Sequence, residues 1–250
     1  MCTPLGSVER LVLADALGDT PETVIPVHQL RHGLCDAYVT GDPSDCAAAI
    51  VQPLSLMEEP FGFGADAEAI WELLSCARGW KHLNVEQSLA GPLAVVMERE
   101  TSSGVRGYGD VYHTLTEPEV NFHDPVVREL TPEDLPILKA APAVVEGDLD
   151  TMLREGIAAG AIVAGVLVAI AHTSAITDAY ADIGVSTLQL WQGRGLATVA
   201  ASIVAGRIQD SGRTPVWSAG EDNLASLRVA RKVGFVETSR RVYLSIDPRV

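Results

Sequence analysis

The segment between Asp182 and Thr198 combines a strand pattern, a short glycine loop and a helix pattern. Gly193 and Gly195 lie in the loop, at the start of an amphipathic helix predicted over residues 193–210. Glycine has no Cβ, so a ligand can approach the main chain closely there. The first turn of a helix carries N–H groups without helical partners, and the helix dipole adds positive charge. The loop is therefore a candidate site for a pyrophosphate group.

Three nucleotide-binding loops can be compared with this segment. A Walker loop requires a Gly-Lys pair followed by Ser or Thr, and no such lysine is present. A Rossmann fingerprint requires a third glycine, where Thr198 stands. It also requires an acidic residue about twenty positions later at the end of a second strand, and this is missing as well. The third spacing, Gln-x-x-Gly-x-Ala, is matched by Gln192, Gly195 and Ala197.

This hexad resembles the pyrophosphate-binding signature Q/R-x-x-G-x-G/A of the GNAT superfamily of acetyltransferases. A second segment, Asn223 to Phe235, is similar to a later helix of that superfamily, which begins with an Asn and is closed by a Gly-Phe pair. Both motifs occur in the family's order, with a helix and a strand between them. The resemblance covers residues 126–248 and includes no motif in the first half of the chain.

The resemblance implies that acetyl-coenzyme A is the cosubstrate and that no metal is required. The acyl-pantetheine arm would lie between the strand ending near Thr187 and the strand at 215–218, pairing with backbone groups around Thr187 and Gln189 as an extra strand would. Arg194 would add charge beside the pyrophosphate, and Asn223 would face the pantetheine or the adenosine. The predicted coenzyme-binding residues are Thr187, Leu188, Gln189, Gln192, Gly193, Arg194, Gly195, Leu196, Ala197, Thr198 and Asn223.

Acetyl transfer to an amine requires a base that accepts a proton. The resemblance favours Asp182, ten residues before Gln192, where many members carry a Glu. An alternative interpretation of Asp182 is a solvated carboxylate at the end of a strand. His172, at the end of the preceding predicted strand, is a second candidate base.

One position departs from the family pattern. Many members carry a Tyr five residues before the closing Phe, placed to protonate the coenzyme A thiolate, and this chain has Ala230 there. Ser226 and Tyr243 are alternative donors for which the sequence gives no positional argument. Two functions therefore stay open: an N-acetyltransferase acting on a primary amine of a small molecule or peptide, and a non-catalytic coenzyme A-binding module with a regulatory or assembly role.

The first half of the chain is patterned but contains no catalytic constellation. Phe61–Gly64 is interpreted as a plain turn, and His28 and His32, although four residues apart, lack the further ligands of a metal site. The patterns predict strands at 34–40, 47–52, 93–98 and 105–113 and helices at 66–77 and 85–93. This half is either a degenerate copy of the same fold, which we favour, or an unrelated cap that shapes the acceptor pocket or forms a dimer interface.

The predicted fold class is α+β, an α/β sandwich. A GNAT-like domain at 121–250, with a mixed and mostly antiparallel central sheet flanked by helices, would follow a smaller α+β domain at 1–120. The predicted helices of the second half include 149–155 and 224–233, and its strands include 161–164, 166–171, 180–188, 215–218 and 237–246.

The composition of the chain limits its expected binding partners and cellular location. The chain of 250 residues has a formal net charge of -15, which disfavours nucleic acid and anionic membrane surfaces and favours a cationic acceptor. The sequence contains no membrane-span pattern and no secretory signal, and its four scattered cysteines suggest reduced thiols. We expect a cytoplasmic, bacterial-type protein, with a homodimer left open.

Overall fold

The computed structural model describes residues 3–118, 120 and 122–247. The chain forms two compact units. The N-terminal unit comprises the residues up to Val111 together with those from Ser239 onward, and the C-terminal unit comprises Tyr112–Thr238. The predicted boundary at 120/121 lies downstream of the observed one. The prediction also missed that the last strand returns to the N-terminal unit, because local turn signals carry no information about long-range strand pairing.

The N-terminal unit begins with two helices and three strands, after which helices and strands alternate. Its elements are α1 (Ser7–Leu17), α2 (Val24–His32), β1 (Cys35–Thr40), β2 (Ala48–Pro53), β3 (Phe61–Gly64), α3 (Ala67–Leu74), β4 (Leu83–Glu86) and α4 (Gln87–Thr101), together with parts of β5 (Val105–Thr114) and β11 (Val236–Ile246).

The sheet of the N-terminal unit is mostly antiparallel. β1 pairs with β2 and β2 with β3 in antiparallel register, whereas β3 and β4 run parallel. β4 pairs antiparallel with β11 through residues 241–244. Side chains alternate along the buried strand β2, so that Ile50 joins the core under α3 and α4 while Val51 joins the core under α1 and α2.

The C-terminal unit contains the segments that the motifs singled out. Its elements are β6 (Val127–Glu129), a 3-10 turn (Pro132–Asp134), α5 (Leu135–Lys139), α6 (Leu149–Glu155), β7 (Ala158–Val163), β8 (Val166–Ile176), β9 (Tyr180–Thr187), a second 3-10 turn (Gln189–Trp191), α7 (Leu196–Asp210), β10 (Thr214–Gly220) and α8 (Leu224–Val233). None of the helices among the described residues is long and apolar enough to cross a membrane.

The sheet of the C-terminal unit repeats the pattern of the first. β6 to β9 form antiparallel neighbours, and β10 lies parallel to β9. In both units two helices precede three antiparallel strands, and a helix, a parallel strand and a further helix follow. This repetition favours the degenerate-copy interpretation of the N-terminal half over an unrelated cap.

Two predictions in the first half were wrong. Phe61–Gly64 is a buried strand and not a turn, because Gly62 allows close packing: a Cβ there would lie 3.0 Å from the Val85 side chain. Residues 93–98 belong to α4 and not to a strand. The helix continues through Pro92, despite the usual helix-breaking effect of proline.

The cysteines among the described residues differ in chemical state. Cys35 and Cys46 carry free thiols, whereas Cys76 is disulfide-bonded, which contradicts the expectation of a reduced thiol at that residue.

Asp134 fixes the chain at the entry to α5. The Arg128 guanidinium donates two hydrogen bonds to its carboxylate, at 2.7 and 2.6 Å, and the Thr131 N–H donates a third at 2.9 Å. Arg128, with the Thr131 N–H, holds the pKa of Asp134 below its usual value despite the opposing effect of burial.

Replacing Asp134 with Asn should lower the free energy of unfolding by about 1–3 kcal/mol, because the charge-assisted hydrogen bonds are lost. The folded-state pKa lies below the unfolded value of about 3.9. The stabilisation is therefore complete above that value and fades as the pH falls through the folded-state pKa. Urea denaturation across this acidic range should give a flatter pH dependence for Asp134→Asn than for the wild type. Asp150→Asn, which removes an exposed pair with Arg154, is the control and should change stability little.

Candidate functional site

An open cleft of about 340 Å³ lies in the C-terminal unit where β9, the glycine loop, α7 and α8 meet. Its lining residues are Val185, Ser186, Thr187, Trp191, Gln192, Gly193, Gly195, Leu196, Ala197, Thr198, Asn223, Ala225, Ser226, Arg228, Val229 and Lys232. Both sequence motifs therefore contribute to one cleft.

Eight of the eleven predicted coenzyme-binding residues line the cleft, and Leu188, Gln189 and Arg194 do not. The Leu188 N–H donates to the Val168 carbonyl across the β8–β9 ladder at 2.9 Å. Gln189 begins a 3-10 turn, so its backbone is not extended, which contradicts the expected strand-like pairing there. The Arg194 guanidinium lies 4.5 Å from the ring centroid of Trp191.

The glycine loop leaves its main chain accessible. Gly193 and Gly195 have φ values of 75° and 85°, in the left-handed region that favours glycine. An added Cβ at either position would meet no atom within 4 Å. Gly195 is the N-cap of α7, and no side chain caps this helix among the described residues. The first-turn N–H groups of α7 are therefore available to an anion.

A gap between parallel strands leads to the cleft. β9 and β10 pair at only three positions, the last of which joins Asp182 to Val216. Beyond this pair β9 continues to Thr187 and β10 to Gly220, and no further residues of the two strands are paired in the described part of the chain. The strands thus separate on the way from Asp182 to the glycine loop.

Asp182 lies where the two strands begin to separate, and it is only 4% exposed. The Ser174 hydroxyl donates to its Oδ2, and the Ser218 hydroxyl donates to its Oδ1 at 3.3 Å. The alternative of a solvated strand-end carboxylate is therefore wrong. Ser174 reaches Asp182 from an irregularity in the β8–β9 register between Thr173 and Ala175. Sequence reasoning missed both serines, because the residues around Ser174 contain no pattern that indicates a β-bulge.

His172 lies on β8 opposite Gly184. A Cβ at Gly184 would lie 3.4 Å from the His172 Nε2, so the imidazole lies across this glycine. Because strand residues alternate between faces, Gly184 and Asp182 share a face of β9, and His172 lies on that face as well. Burial lowers the pKa of His172, so the imidazole is neutral at neutral pH. Its Nδ1 lies 3.1 Å from the Thr173 carbonyl oxygen.

Helix α8 brings one hydroxyl to the cleft. The Trp217 indole N–H donates to the Ser226 Oγ at 2.9 Å. Because an indole only donates, the hydroxyl proton of Ser226 remains available to another acceptor. Ala230, one turn later, is fully buried and offers no polar group. Asn223 caps the helix by accepting the Ser226 N–H at 3.1 Å.

Tyr243, the other alternative donor, belongs to the N-terminal unit. Its hydroxyl donates to Glu59 at 3.3 Å, and burial raises the pKa of Tyr243 well above its usual value. Within its own unit it is thus a buried, neutral phenol.

The cleft is locally cationic although the chain carries a net charge of -15. Arg228 and Lys232, one turn apart on α8, both line it. Sequence reasoning overlooked them, although their four-residue spacing on a predicted helix indicates a shared face. No group of three or more potential ligands among the described residues could hold a metal ion.

Comparison with known proteins agrees with this geometry. Residues 147–242 match the family model described as GNAT acetyltransferase, which confirms the resemblance found for the C-terminal half. No curated protein matches the sequence.

Solved structures match over the whole chain at low identity. A GCN5-related N-acetyltransferase-like protein from Streptococcus suis 89/1591 is 21% identical, with 97% of this chain and 100% of that chain covered and a TM-score of 0.66. A Drosophila protein is 15% identical, with 100% and 99% covered and a TM-score of 0.68. A tandem GNAT protein from the clavulanic acid biosynthesis pathway is 16% identical, with 100% and 99% covered and a TM-score of 0.57. These likenesses confirm the predicted fold class, a mixed and mostly antiparallel sheet flanked by helices.

Proposed function

We propose that the C-terminal unit, whose residues 147–242 match the GNAT acetyltransferase family, transfers an acetyl group from acetyl-coenzyme A to a primary amine of a small molecule or peptide. The observation that carries this proposal is that β9 and β10 stop pairing after Asp182, while the later β9 residues from Val185 to Thr187 line the cleft beside the glycine loop. β9 thus carries a buried carboxylate at the point of separation and leads to an anion site at the start of α7.

The residues of the cleft fit the parts of coenzyme A. The uncapped N–H groups of α7 suit the pyrophosphate, and the gap after Asp182 suits the extended pantetheine arm. Arg228 and Lys232 supply positive charge for the phosphates, including the 3′-phosphate. Acetyl-coenzyme A supplies the activated acyl group, and the chain has to bind it, orient it and handle protons.

Asp182 is the proposed base, with His172 as the second candidate. The two serine hydroxyls hold the Asp182 carboxylate in one position, and its burial limits contact with bulk water. The neutral imidazole on the same face can also accept a proton. Either group can remove a proton from the acceptor ammonium and so produce the nucleophilic amine.

Ser226 is proposed to stabilise the departing thiolate by donating a hydrogen bond from its hydroxyl. It lines the cleft, and its hydroxyl proton is not used by the hydrogen bond from Trp217. Ser226 would thus take the role of the tyrosine that many family members carry at the position of Ala230.

The acceptor is proposed to be cationic, because the net charge of -15 attracts positively charged substrates. The cytoplasmic location and a homodimer stay predictions from the sequence. A second candidate function, coenzyme A binding without catalysis, is favoured only by the buried Ala230.

Gly195→Trp should abolish coenzyme binding. The indole would occupy the open space before the main chain, and isothermal titration with acetyl-coenzyme A should show affinity at least ~100-fold weaker, as expected when about 3 kcal/mol is lost. Gly212→Trp is a matched control, since Gly212 also has a positive φ of 79° with nothing within 4 Å of an added Cβ, and it lies outside the cleft. Equal affinities in the two variants, or no binding by the wild type, would contradict the proposed site.

Asp182→Asn should lower kcat by about 100-fold or more, because general base catalysis contributes about 10²–10⁴-fold. The affinity for acetyl-coenzyme A should stay within about twofold, since such a change is below 0.5 kcal/mol. Thiol release with a panel of amines measures the rate, and the exposed Asp210→Asn serves as control. A wild-type protein that binds acetyl-coenzyme A but acetylates no amine would favour the non-catalytic module.

Arg228→Gln and Lys232→Gln should each weaken coenzyme A binding by about tenfold, the effect of losing roughly 1.4 kcal/mol of charge-assisted contact. Binding of 3′-dephospho-coenzyme A should change less if these side chains face the 3′-phosphate. Arg231→Gln, exposed on the same helix but outside the cleft, is the matched control. A parallel loss for both ligands would instead place the two cations against the pyrophosphate.

A further inference from the structure

We infer that the N-terminal unit is a copy of the coenzyme-binding fold whose groove is filled by the side chain of Arg241, so that each chain binds a single coenzyme A. The inference rests on the proposed function for the identity of the ligand. It concerns residues of the N-terminal unit only.

The copy retains the strand separation that makes the groove. β3 and β4 hold the positions that β9 and β10 hold in the C-terminal unit, and they also run parallel. They pair at a single position, Phe61 with Asn84. Beyond this pair their backbone groups lack partners in the β3–β4 ladder, which is the arrangement that receives a pantetheine arm in the proposed site.

Arg241 occupies this separation. Its side chain is buried, at 3% exposure, and its Nη2 donates to the Gly62 carbonyl of β3 at 2.8 Å and to the Asn84 carbonyl of β4 at 3.2 Å. Its Nε donates to the Asn84 side-chain oxygen. The guanidinium lies 4.6 Å from the ring centroid of Phe63. The Arg241 guanidinium thus connects the diverging strands β3 and β4 by hydrogen bonds. It occupies carbonyl groups to which an amide of a ligand would otherwise donate.

Further contacts fix the position of Arg241. The Asn84 side chain, whose oxygen accepts from Arg241, donates through its amide nitrogen to the buried Asp110 carboxylate at 2.8 Å. The backbone of Arg241 is paired with Glu86 of β4. Removing a buried guanidinium from such partners leaves polar groups unsatisfied, so a ligand cannot readily displace it.

The anion site of the copy is closed as well. The Asp66 carboxylate accepts the N–H groups of Glu68 and Ala69 at the start of α3, at 3.0 and 3.2 Å. Because this carboxylate already occupies the first-turn N–H groups, its charge opposes a pyrophosphate at this helix end. Glu68 in the same turn is paired with Arg99 at 2.7 Å. A Cβ at Gly64 would lie 2.3 Å from the Ala47 carbonyl oxygen, so the main chain at the end of β3 is packed against the backbone at Ala47.

Native mass spectrometry of the full chain with coenzyme A tests the inference by counting ligands. We expect one coenzyme A per wild-type chain and none on folded Gly195→Trp. Two on the wild type, or one retained by Gly195→Trp, would place a usable groove in the N-terminal unit and overturn the inference. No ligand on the wild type would refute the proposed function, while the absence of binding by the N-terminal unit would still agree with a filled groove.

Arg241→Met tests whether the arginine joins the two strands. Deuterium uptake should rise in segments 61–64 and 83–86, and the melting temperature should fall by several degrees. The neighbouring exposed Arg240→Met should leave both readouts near wild type. If Arg241→Met does not fold, Arg241→Lys serves instead, because it keeps the charge but loses the planar fork. Unchanged uptake in the folded variant would show that Arg241 does not hold the groove closed.

Discussion

Each unit contains two parallel strands that pair over a short stretch and then separate. Backbone N–H and C=O groups that leave a ladder need other partners, because unsatisfied polar groups are costly inside a protein. In the C-terminal unit β9 and β10 part after Asp182, and the later residues of β9 line an open cleft. In the N-terminal unit β3 and β4 part after one pair, and the chain's own Arg241 supplies the donors. The N-terminal unit thus satisfies these backbone groups with its own side chain, whereas in the C-terminal unit we propose that a bound ligand does so.

Helix ends reinforce this difference between the units. α7 begins at a glycine with no side-chain cap and no acidic residue in its first turn, whereas α3 begins at Asp66 and carries Glu68. A side-chain carboxylate at a helix start stabilises the helix and at the same time occupies the place of an anionic ligand. α7 is instead stabilised by burial of residues such as Val204 and Ile208. Its start can therefore remain uncapped for binding.

The sequence was most informative where local chemistry decides the structure. The helix predicted at 193–210 is observed at Leu196–Asp210, and the helix predicted at 224–233 has the predicted bounds. Both could be predicted because caps, glycines and periodicity act over a few residues. The partners of Asp182 could not be predicted, since Ser174 and Ser218 approach it from neighbouring strands. Arg241 is equally hidden in sequence, because its role depends on a strand that pairs with residues more than 150 positions earlier.

The return of the last strand to the N-terminal unit has a consequence for biosynthesis. β4 obtains its antiparallel neighbour only from residues 241–244, and the 127 residues of the C-terminal unit, Tyr112–Thr238, must be translated first. At a translation rate of about 5–20 residues per second, that delay is on the order of 10 s. During this time the β4 edge lacks the strand that later covers it, and an unpaired edge can add a foreign strand. The N-terminal unit is therefore completed only after the whole C-terminal unit has been translated.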